Sequence, residues 1–342
     1  MMTKILIVAL CFCLCNGFAV RGFGPLQTRT TRLAATISLD EHLSRNVGDY
    51  VTVDLSVREG GKCVETDFDQ GLIRFCINGG GGFHQAIHHV ASKLSEVGDS
   101  ITEVCSGGEY YPAATAEIPL KSAPAGLKVG ETVKLSNGIR ARVTCTTEST
   151  ITIDANAPLA GKQLEISLGL VDKKPKSSLS QFTAACGCFW GIELAFQRTE
   201  GVVFTAVGYT QGSVESPGYE QVCAGTTGHA EAIFALFDPS LISYSELLDI
   251  VWARHDPTQR NQQGNDVGTQ YRGGIYYHSE IQRQEAEQSM KREQTKYKAA
   301  LATELKPFAK FWMAEPIHQQ YLSRETGQSA SKRATENIRC YG

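Results

Sequence analysis

Cys188 stands in the string "QFTAACGCFWGIELAFQRTEGVV", where a small-residue strand or turn runs into an amphipathic helix. The cysteine falls where that helix begins. Unpaired backbone N–H groups and the positive end of the helix dipole favour its thiolate there, which is the nucleophilic form. Phe189 and Trp190 follow, and together they would form an apolar wall beside the sulfur suited to a methyl group rather than to a charged substrate. A cysteine at a helix start is, taken alone, more often a small inert core residue. What distinguishes Cys188 is its company. "VGYTQGSVESPGYEQVCAGTTGHAEAIF", "HDPTQRNQQGNDVGTQYRGGIYY" and the terminal "IRCYG" are polar, loop-rich segments set between apolar strands. Loops crowded with Tyr, His, Asp and Glu beside a poised thiol describe a cleft.

The chain has eleven cysteines, so their placement carries more than their number. Cys11, Cys13 and Cys15 lie in the first apolar run, leaving Cys63, Cys76, Cys105, Cys145, Cys186, Cys188, Cys223 and Cys340. Cys186, two residues from Cys188, would close a very small strained ring as its disulfide partner. The Cys-x-Cys pair has no second pair or histidine spacing to complete a zinc site, and no metal is expected.

The strings "GCFWG", "GYTQG", "TGHAE", "HDPTQ" and "GNDVGTQYR", in that order, resemble the A-type peptide methionine sulfoxide reductases over about residues 182–342. A sulfoxide sulfur is attacked only when its oxygen becomes a better leaving group, which requires a soft nucleophile and acids that polarise S=O. The resemblance makes Cys188 the nucleophile and Glu231, in "GHAE", a buried carboxyl kept protonated beside the oxygen. It points the phenols of Tyr219 and Tyr271 at the same oxygen. Phe189, Trp190 and Asp266 then complete the substrate pocket. Attack yields methionine and a Cys188 sulfenic acid, which condenses with a second thiol. Cys340 is the expected partner, on a flexible tail that swings to the site. That tail resembles plant-type members, although the upstream cysteine of their "KGC" segment is Ala334 here. Reduction of the Cys188–Cys340 bond would then fall to thioredoxin or another external dithiol, with no bound cofactor. The implied substrates are methionine S-sulfoxide, free and in oxidised proteins. Cys223, in "YEQVCAG", is expected to be a buried structural thiol.

The elements that position these residues must fit within 342 residues, a length that implies about two domains. The composition, 42% hydrophobic and 20% charged, is that of an ordinary globular protein. With 33 Lys+Arg against 36 Asp+Glu the net charge is -3, which leaves no basic surplus for phosphates, so nucleic acid is not an expected partner. Ile5 to Cys15 form an apolar run too short to cross a bilayer but the size of a signal core, and residues 17–35 are rich in Arg and Thr with no acid. Residues 1–35 resemble the bipartite plastid presequence of algae with complex plastids. A plain secretory signal with a basic propeptide is the alternative. Once that segment is removed, no membrane association is expected.

From Tyr50 the pattern has period two: Val51, Val53, Leu55 and Val57 share a face, with Thr52, Asp54, Ser56 and Arg58 opposite. Alternation returns at Ile139, Ala141 and Val143, at Ile151 and Ile153, and at Leu164, Ile166, Leu168 and Leu170. One helix, about 83–94, interrupts these strands, so a curved antiparallel sheet around a short helix is expected. "VGDYVTVDLSVREGGKCVET", a Gly-rich turn into a helix ending at "EVGD", and "TIDANAPLAGKQLEISLGL" resemble the SlyD-like branch of FKBP-type peptidyl-prolyl isomerases, with an inserted flap, over about residues 45–172. The resemblance implies an isomerase or client-holding module. Its acidic residue would be Glu65, its wall Val64, Ile73, Phe75, Phe83, Ile87 and Ile166, and its pocket tyrosine Tyr111, with Tyr110 as the neighbouring candidate. Several expected aromatics are aliphatic, and Pro112 stands where the glycine after the tyrosine belongs. His84, His88 and His89 share helical spacing and read as a solvated face. Gly79 to Gly82 lack the Lys-Ser/Thr of a phosphate loop and read as a flexible turn.

"DKKPKSSLS", residues 172–180, is charged and aperiodic, and reads as a linker. The expected organisation is therefore an α+β chain: presequence 1–35, FKBP/SlyD-like domain 36–172, linker 173–180, and from 181 to 342 a two-layer α/β sandwich of the reductase type with a loop-rich tail. Ser279 is expected to cap a solvated helix reaching about Leu305. The rival function is a prolyl isomerase or holdase chaperone whose redox half is degenerate.

Overall fold

A computed structural model describes residues 37–63, 71–79, 85–124, 126–135, 140–156, 159–332 and 334–340. The presequence, Val64, Glu65, Phe83, His84, Gly80 to Gly82 and Ile139 lie outside the described residues.

The described chain opens with helix α1 (Leu39–Asn46), followed by β1 (Tyr50–Glu59), β2 (Lys62–Cys63), β3 (Gly71–Cys76), α2 (Gln85–Ala91) and β4 (Ser100–Ser106). After these come β5 (Thr115–Pro119), β6 (Thr132–Lys134), β7 (Arg140–Thr146), β8 (Thr150–Asp154) and β9 (Gln163–Lys174). β1 is the centre of an antiparallel five-stranded sheet, pairing with β2 and β3 on one side and with β9, then β4, on the other. The period-two reading holds: Val51, Val53, Leu55 and Val57, and Leu164, Ile166, Leu168 and Leu170, are all buried. α2 supplies Ile87, Val90 and Ala91 to the core. His88 is a correction to the solvated-face reading, because it is buried edge-on against Phe75 and its Nδ1 accepts from the Asn78 N–H at 3.1 Å.

Contacts divide the chain into two compact units. The described part of one lies within Cys105–Leu164, where β5, β8, β7 and β6 form a separate antiparallel sheet with its own core of Ile118, Val133, Val143, Ile151 and Ile153. The other comprises Leu33–Val104 and Glu165–Gly342.

In this second unit the chain continues through β10 (Ser180–Cys186), α3 (Phe189–Gln197), β11 (Val202–Thr210), α4 (Tyr219–Cys223), β12 (Ala230–Phe237) and α5 (Tyr244–Arg254). It ends with β13 (Gln262–Gln263), β14 (Asp266–Val267), β15 (Gly273–Tyr277), α6 (Glu280–Gln294), β16 (Glu304–Pro307), β17 (Phe311–Met313) and α7 (Tyr321–Glu325). A six-stranded mixed sheet runs β16-β15-β10-β12-β11-β17, with only β15 and β16 parallel. Alternate residues of its strands face opposite ways. Ile233, Ala235 and Phe237 of β12 join Phe189, Ile192 and Phe196 of α3 and Leu247, Leu248 and Val251 of α5. Ala232, Phe234 and Leu236 face the other side, where Leu39 and Leu43 of α1, Tyr50 and Cys76 cover them.

The second sheet therefore does not stand apart from the N-terminal residues. The Met313 N–H donates to the Ile37 carbonyl at 2.9 Å, and Arg74 pairs with Glu200 at 2.8 Å. The segment 173–180 is correspondingly ordered: β9 runs to Lys174, a 3-10 turn spans Lys176–Ser178, and the Lys176 ammonium donates to the carbonyls of Leu43 and Val47. Its charges bind backbone oxygens at the end of α1, which is why an aperiodic polar string here is not a free linker. Ser279 caps α6 as expected, its hydroxyl accepting from the Gln282 N–H at 3.2 Å, but the helix stops at Gln294 and residues 304–307 form an edge strand instead. Among the described residues no helix is long and apolar enough to cross a membrane.

Candidate active site

Cys188 is the N-cap of α3, so Phe189, Trp190 and Gly191 carry the helix's first three N–H groups. None of these has a partner within the helix. The Phe189 N–H donates to Glu231 Oε2 at 3.2 Å. The Trp190 N–H acts on the Cys188 sulfur, without the geometry of a full capping bond. The Gly191 N–H acts on the sulfur of Cys340. One helix terminus thus faces the carboxyl and both thiols. Gly187 makes the approach possible: its φ of 84° lies in the left-handed region, and a Cβ there would press on Gln263 at 2.5 Å.

Glu231 lies on β12, fully covered, and burial pushes its pKa up to about 8, with the charge of Asp266 adding to the effect. It is a neutral acid at pH 7. The thiolate expected at Cys188 is not its resting form, since burial and then the Glu231 charge push its pKa up against the opposing Trp190 N–H. The two groups titrate together. The carboxyl is the group of the pair that ionises first, so a thiolate beside a protonated Glu231 is the reactive minority state, free of the carboxylate repulsion on Cys188.

Tyr219 begins α4 and Tyr271 closes the 3-10 turn Thr269–Tyr271. Burial raises both phenols, followed by a hydrogen bond to Cys223 for Tyr219 and by the Glu231 charge for Tyr271, so both remain O–H donors. Cys223 is half-buried and hydrogen-bonded to both tyrosines, not the enclosed structural thiol expected from the sequence. Cys186 fits that description better: it packs in the core, where burial pushes its thiol up to about 12.

Phe189 is a core side chain, and Trp190 is half-buried, stacked on Tyr321 at 4.0 Å and on His318 at 5.8 Å. His318 also meets Tyr219 at 4.5 Å. Trp190, His318, Tyr321 and Tyr219 thus form one aromatic cluster, while Phe189 packs into the core. Cys186, Cys188, Gly191, Arg254, Asp266 and Cys340 line one cavity of about 250 Å³. No group of three or more His, Cys, Asp or Glu able to hold a metal occurs among the described residues.

The family model described as peptide methionine sulfoxide reductase matches residues 180–339. A peptide methionine sulfoxide reductase of Solanum lycopersicum is 51% identical over 174 residues, covering 49% of this chain and 88% of the relative. The chain belongs to the peptide methionine sulfoxide reductase family. Reductase A4, chloroplastic, of Arabidopsis thaliana is 46% identical over 181 residues, 52% of this chain and 70% of its own. The solved methionine sulfoxide reductase A of Corynebacterium diphtheriae is 33% identical, covers 48% of this chain and 82% of that one, and has a TM-score of 0.43.

For a reductase, the positioning residues that sequence reading missed are as informative as the ones it named. Glu315 accepts from the Tyr219 N–H and from the Tyr209 hydroxyl, each at 2.9 Å, and so fixes the start of α4. Arg272 ties the Tyr271 turn to its surroundings, donating to Thr269 O at 2.8 Å, Gly228 O at 3.1 Å and Glu304 at 2.9 Å. Asp256 of "HDPTQ" accepts from the Thr258 N–H and hydroxyl at 2.9 and 2.7 Å, shaping the loop that carries Asp266.

The tail expected to swing is docked. Lys332 Nζ donates to the carbonyls of Gln197, Thr199 and Val202 just past the end of α3, at 2.7, 2.7 and 2.8 Å. Arg198 grips Ser329 O and Glu336 O at 2.8 and 2.7 Å. From that anchor the chain returns to the helix start, where Gly191 leaves room for Cys340: a Cβ there would overlap its sulfur.

The isomerase candidates among the described residues differ in exposure. Ile73, Phe75, Ile87 and Ile166 are buried, whereas Tyr111 is exposed in the other compact unit and donates to Glu109 at 2.7 Å.

Proposed function

We propose that this reductase acts on methionine S-sulfoxide, free and in proteins, through a Cys188 sulfenic acid and a Cys188–Cys340 disulfide that thioredoxin or another dithiol reopens. The observation that carries this reading is the helix start of α3, whose successive N–H groups serve Glu231, Cys188 and Cys340. Trp190 receives the thioether methyl, and Asp266 lines the mouth of the cavity. Glu231, Tyr219 and Tyr271 donate to the sulfoxide oxygen as the Cys188 sulfur attacks. The oxygen ends on Cys188 as sulfenic acid, and the thioether departs with the electron pair the thiol supplied. Cys340 then bonds to the Cys188 sulfur, and the oxygen leaves as water.

Turnover of separated R and S sulfoxides with thioredoxin tests the reading: activity on S alone supports it, and equal activity on R would overturn the stereochemical assignment. Reduced chain mixed with substrate alone should release one methionine and lose two thiols. Gly191→Ala is expected to form the sulfenic acid at the normal rate but to slow disulfide formation by about tenfold or more, because the new methyl displaces Cys340. Thiol counting after a single turnover would read this directly.

We further propose that residues 36–172 are an FKBP-like module that binds unfolded client rather than a catalytically complete isomerase. The buried wall residues and the exposed apolar Tyr110, Tyr111, Leu120 and Val129 of the inserted sheet favour binding. In the full chain, replacing Tyr110, Tyr111 and Leu120 by serine is expected to slow repair of unfolded oxidised protein several-fold and to leave free methionine sulfoxide unaffected. Equal rates on both would remove the client-binding role. Measurable catalysis of prolyl isomerisation by the full chain would restore the isomerase reading. The presequence composition supports delivery to a plastid, with secretion as the alternative.

A further inference from the structure

Arg254 ends α5 and projects into the cavity that holds the thiols. Its Nη2 lies 3.9 Å from Cys340 Sγ, while its Nε is buried with no hydrogen-bond partner among the described residues. No carboxylate pairs with it among the described ion pairs, which include none to Arg254. The guanidinium and the sulfur share the space that Gly191 leaves, since a Cβ at Gly191 would meet Nη2 at 2.9 Å and overlap the sulfur. Arg254 is half-buried, and leaving its Nε without a partner is costly, so an anion held at its Nη2 offsets part of that cost; the Cys340 sulfur is the group placed there.

We propose that Arg254 is the catalytic residue of the second step: it stabilises the Cys340 thiolate and aims it at the oxidised Cys188, so it governs disulfide formation and not sulfoxide reduction. This inference rests on the two-cysteine reading above. The Cys340 thiolate attacks the sulfenic sulfur of Cys188, the S–S bond forms as the S–O bond breaks, and hydroxide leaves with the proton that Cys340 had released, as water.

The groups facing Cys340 come from every element around it. Arg254 of α5 and the Gly191 N–H of α3 favour its thiolate, while burial and Asp266 of β14 oppose it. Cys186 of β10 and Cys188 line the same cavity. Arg254 also acts on Cys186, while the largest influences on Cys188 are burial, Glu231, the Trp190 N–H, Cys340 and Asp266. Of the two reacting thiols, Cys340 is the one that the guanidinium approaches at 3.9 Å.

Rapid-quench single turnovers of the full chain with methionine sulfoxide and no reductant separate the two steps, with methionine release reporting the first and thiol loss the second. Arg254→Met, which keeps bulk and removes charge, is expected to preserve the methionine burst while slowing disulfide formation about tenfold at neutral pH. Its pH midpoint should move up by about one unit, the shift that changes thiolate fraction tenfold. A sulfenic acid trapped by dimedone should accumulate. Arg254→Lys should restore part of the rate, which a purely packing role would not predict, and its burst amplitude controls for folding. An unchanged disulfide rate and midpoint in Arg254→Met, or equal slowing of both steps in both variants, would overturn the proposal. A missing burst in the unaltered chain would instead overturn sulfoxide reduction by Cys188, and this inference with it.

Discussion

Cys188→Ser is expected to release no methionine from methionine sulfoxide, either in steady state with thioredoxin or in a single turnover without reductant. A serine hydroxyl at the same N-cap keeps the helix start intact but cannot ionise near neutral pH, and it lacks the polarisable sulfur that accepts oxygen. The stability of the chain should change little, because the side chain is half-buried and makes no capping bond. Loss of turnover with an unchanged thermal transition is thus the expected pair of results. Retained turnover would remove the thiol from the chemistry altogether.

Glu231→Gln is expected to lower the sulfoxide step by about 10²- to 10⁴-fold, the range for a lost general acid. The amide still offers an N–H to the oxygen but has no proton to transfer. In the unaltered chain the same step should fall as pH rises through about 8, where the buried carboxyl ionises and its charge also suppresses the Cys188 thiolate. The linkage to stability has a definite sign. Glu231 titrates higher in the folded chain than the ordinary carboxylate value, so a folded-state penalty develops between that value and pH 8 and is complete above it. Glu231→Gln is therefore expected to melt at a higher temperature than the unaltered chain above pH 8 and to lose that advantage toward pH 4. A flat pH profile for the sulfoxide step in the unaltered chain would assign the proton to another donor.

Much of this site is legible in the amino-acid sequence. The start of α3 follows from small residues giving way to an amphipathic run, and Cys188 falls at its N-cap. The motif order names Glu231, Tyr219, Tyr271, Asp266 and Cys340, and the structure brings all five to one region. The resting ionisation of Cys188 was not legible, because a helix terminus is visible in sequence while the depth at which the sulfur is buried is not. Arg254, Gly191, Glu315 and Arg272 escaped notice for a related reason: each works through a partner far along the chain. Glu315 reaches Tyr219 across 96 residues, and Arg254 reaches Cys340 across 86.

The N-terminal half divides in the same way. Period two located β1 and β9, since one face of a strand must leave water whatever covers it. It could not say what covers the reductase sheet. Leu39 and Leu43 of α1, with Tyr50 and Cys76, close the face opposite α3 and α5, so residues outside the family match complete its core. Local chemistry and periodicity, which need only neighbouring residues, determined the strands, the helix starts and the place of Cys188 at one of them. The proton inventory of the site, the docked tail and the boundary of the compact unit arise from burial and long-range contacts, which exist only once the chain has packed.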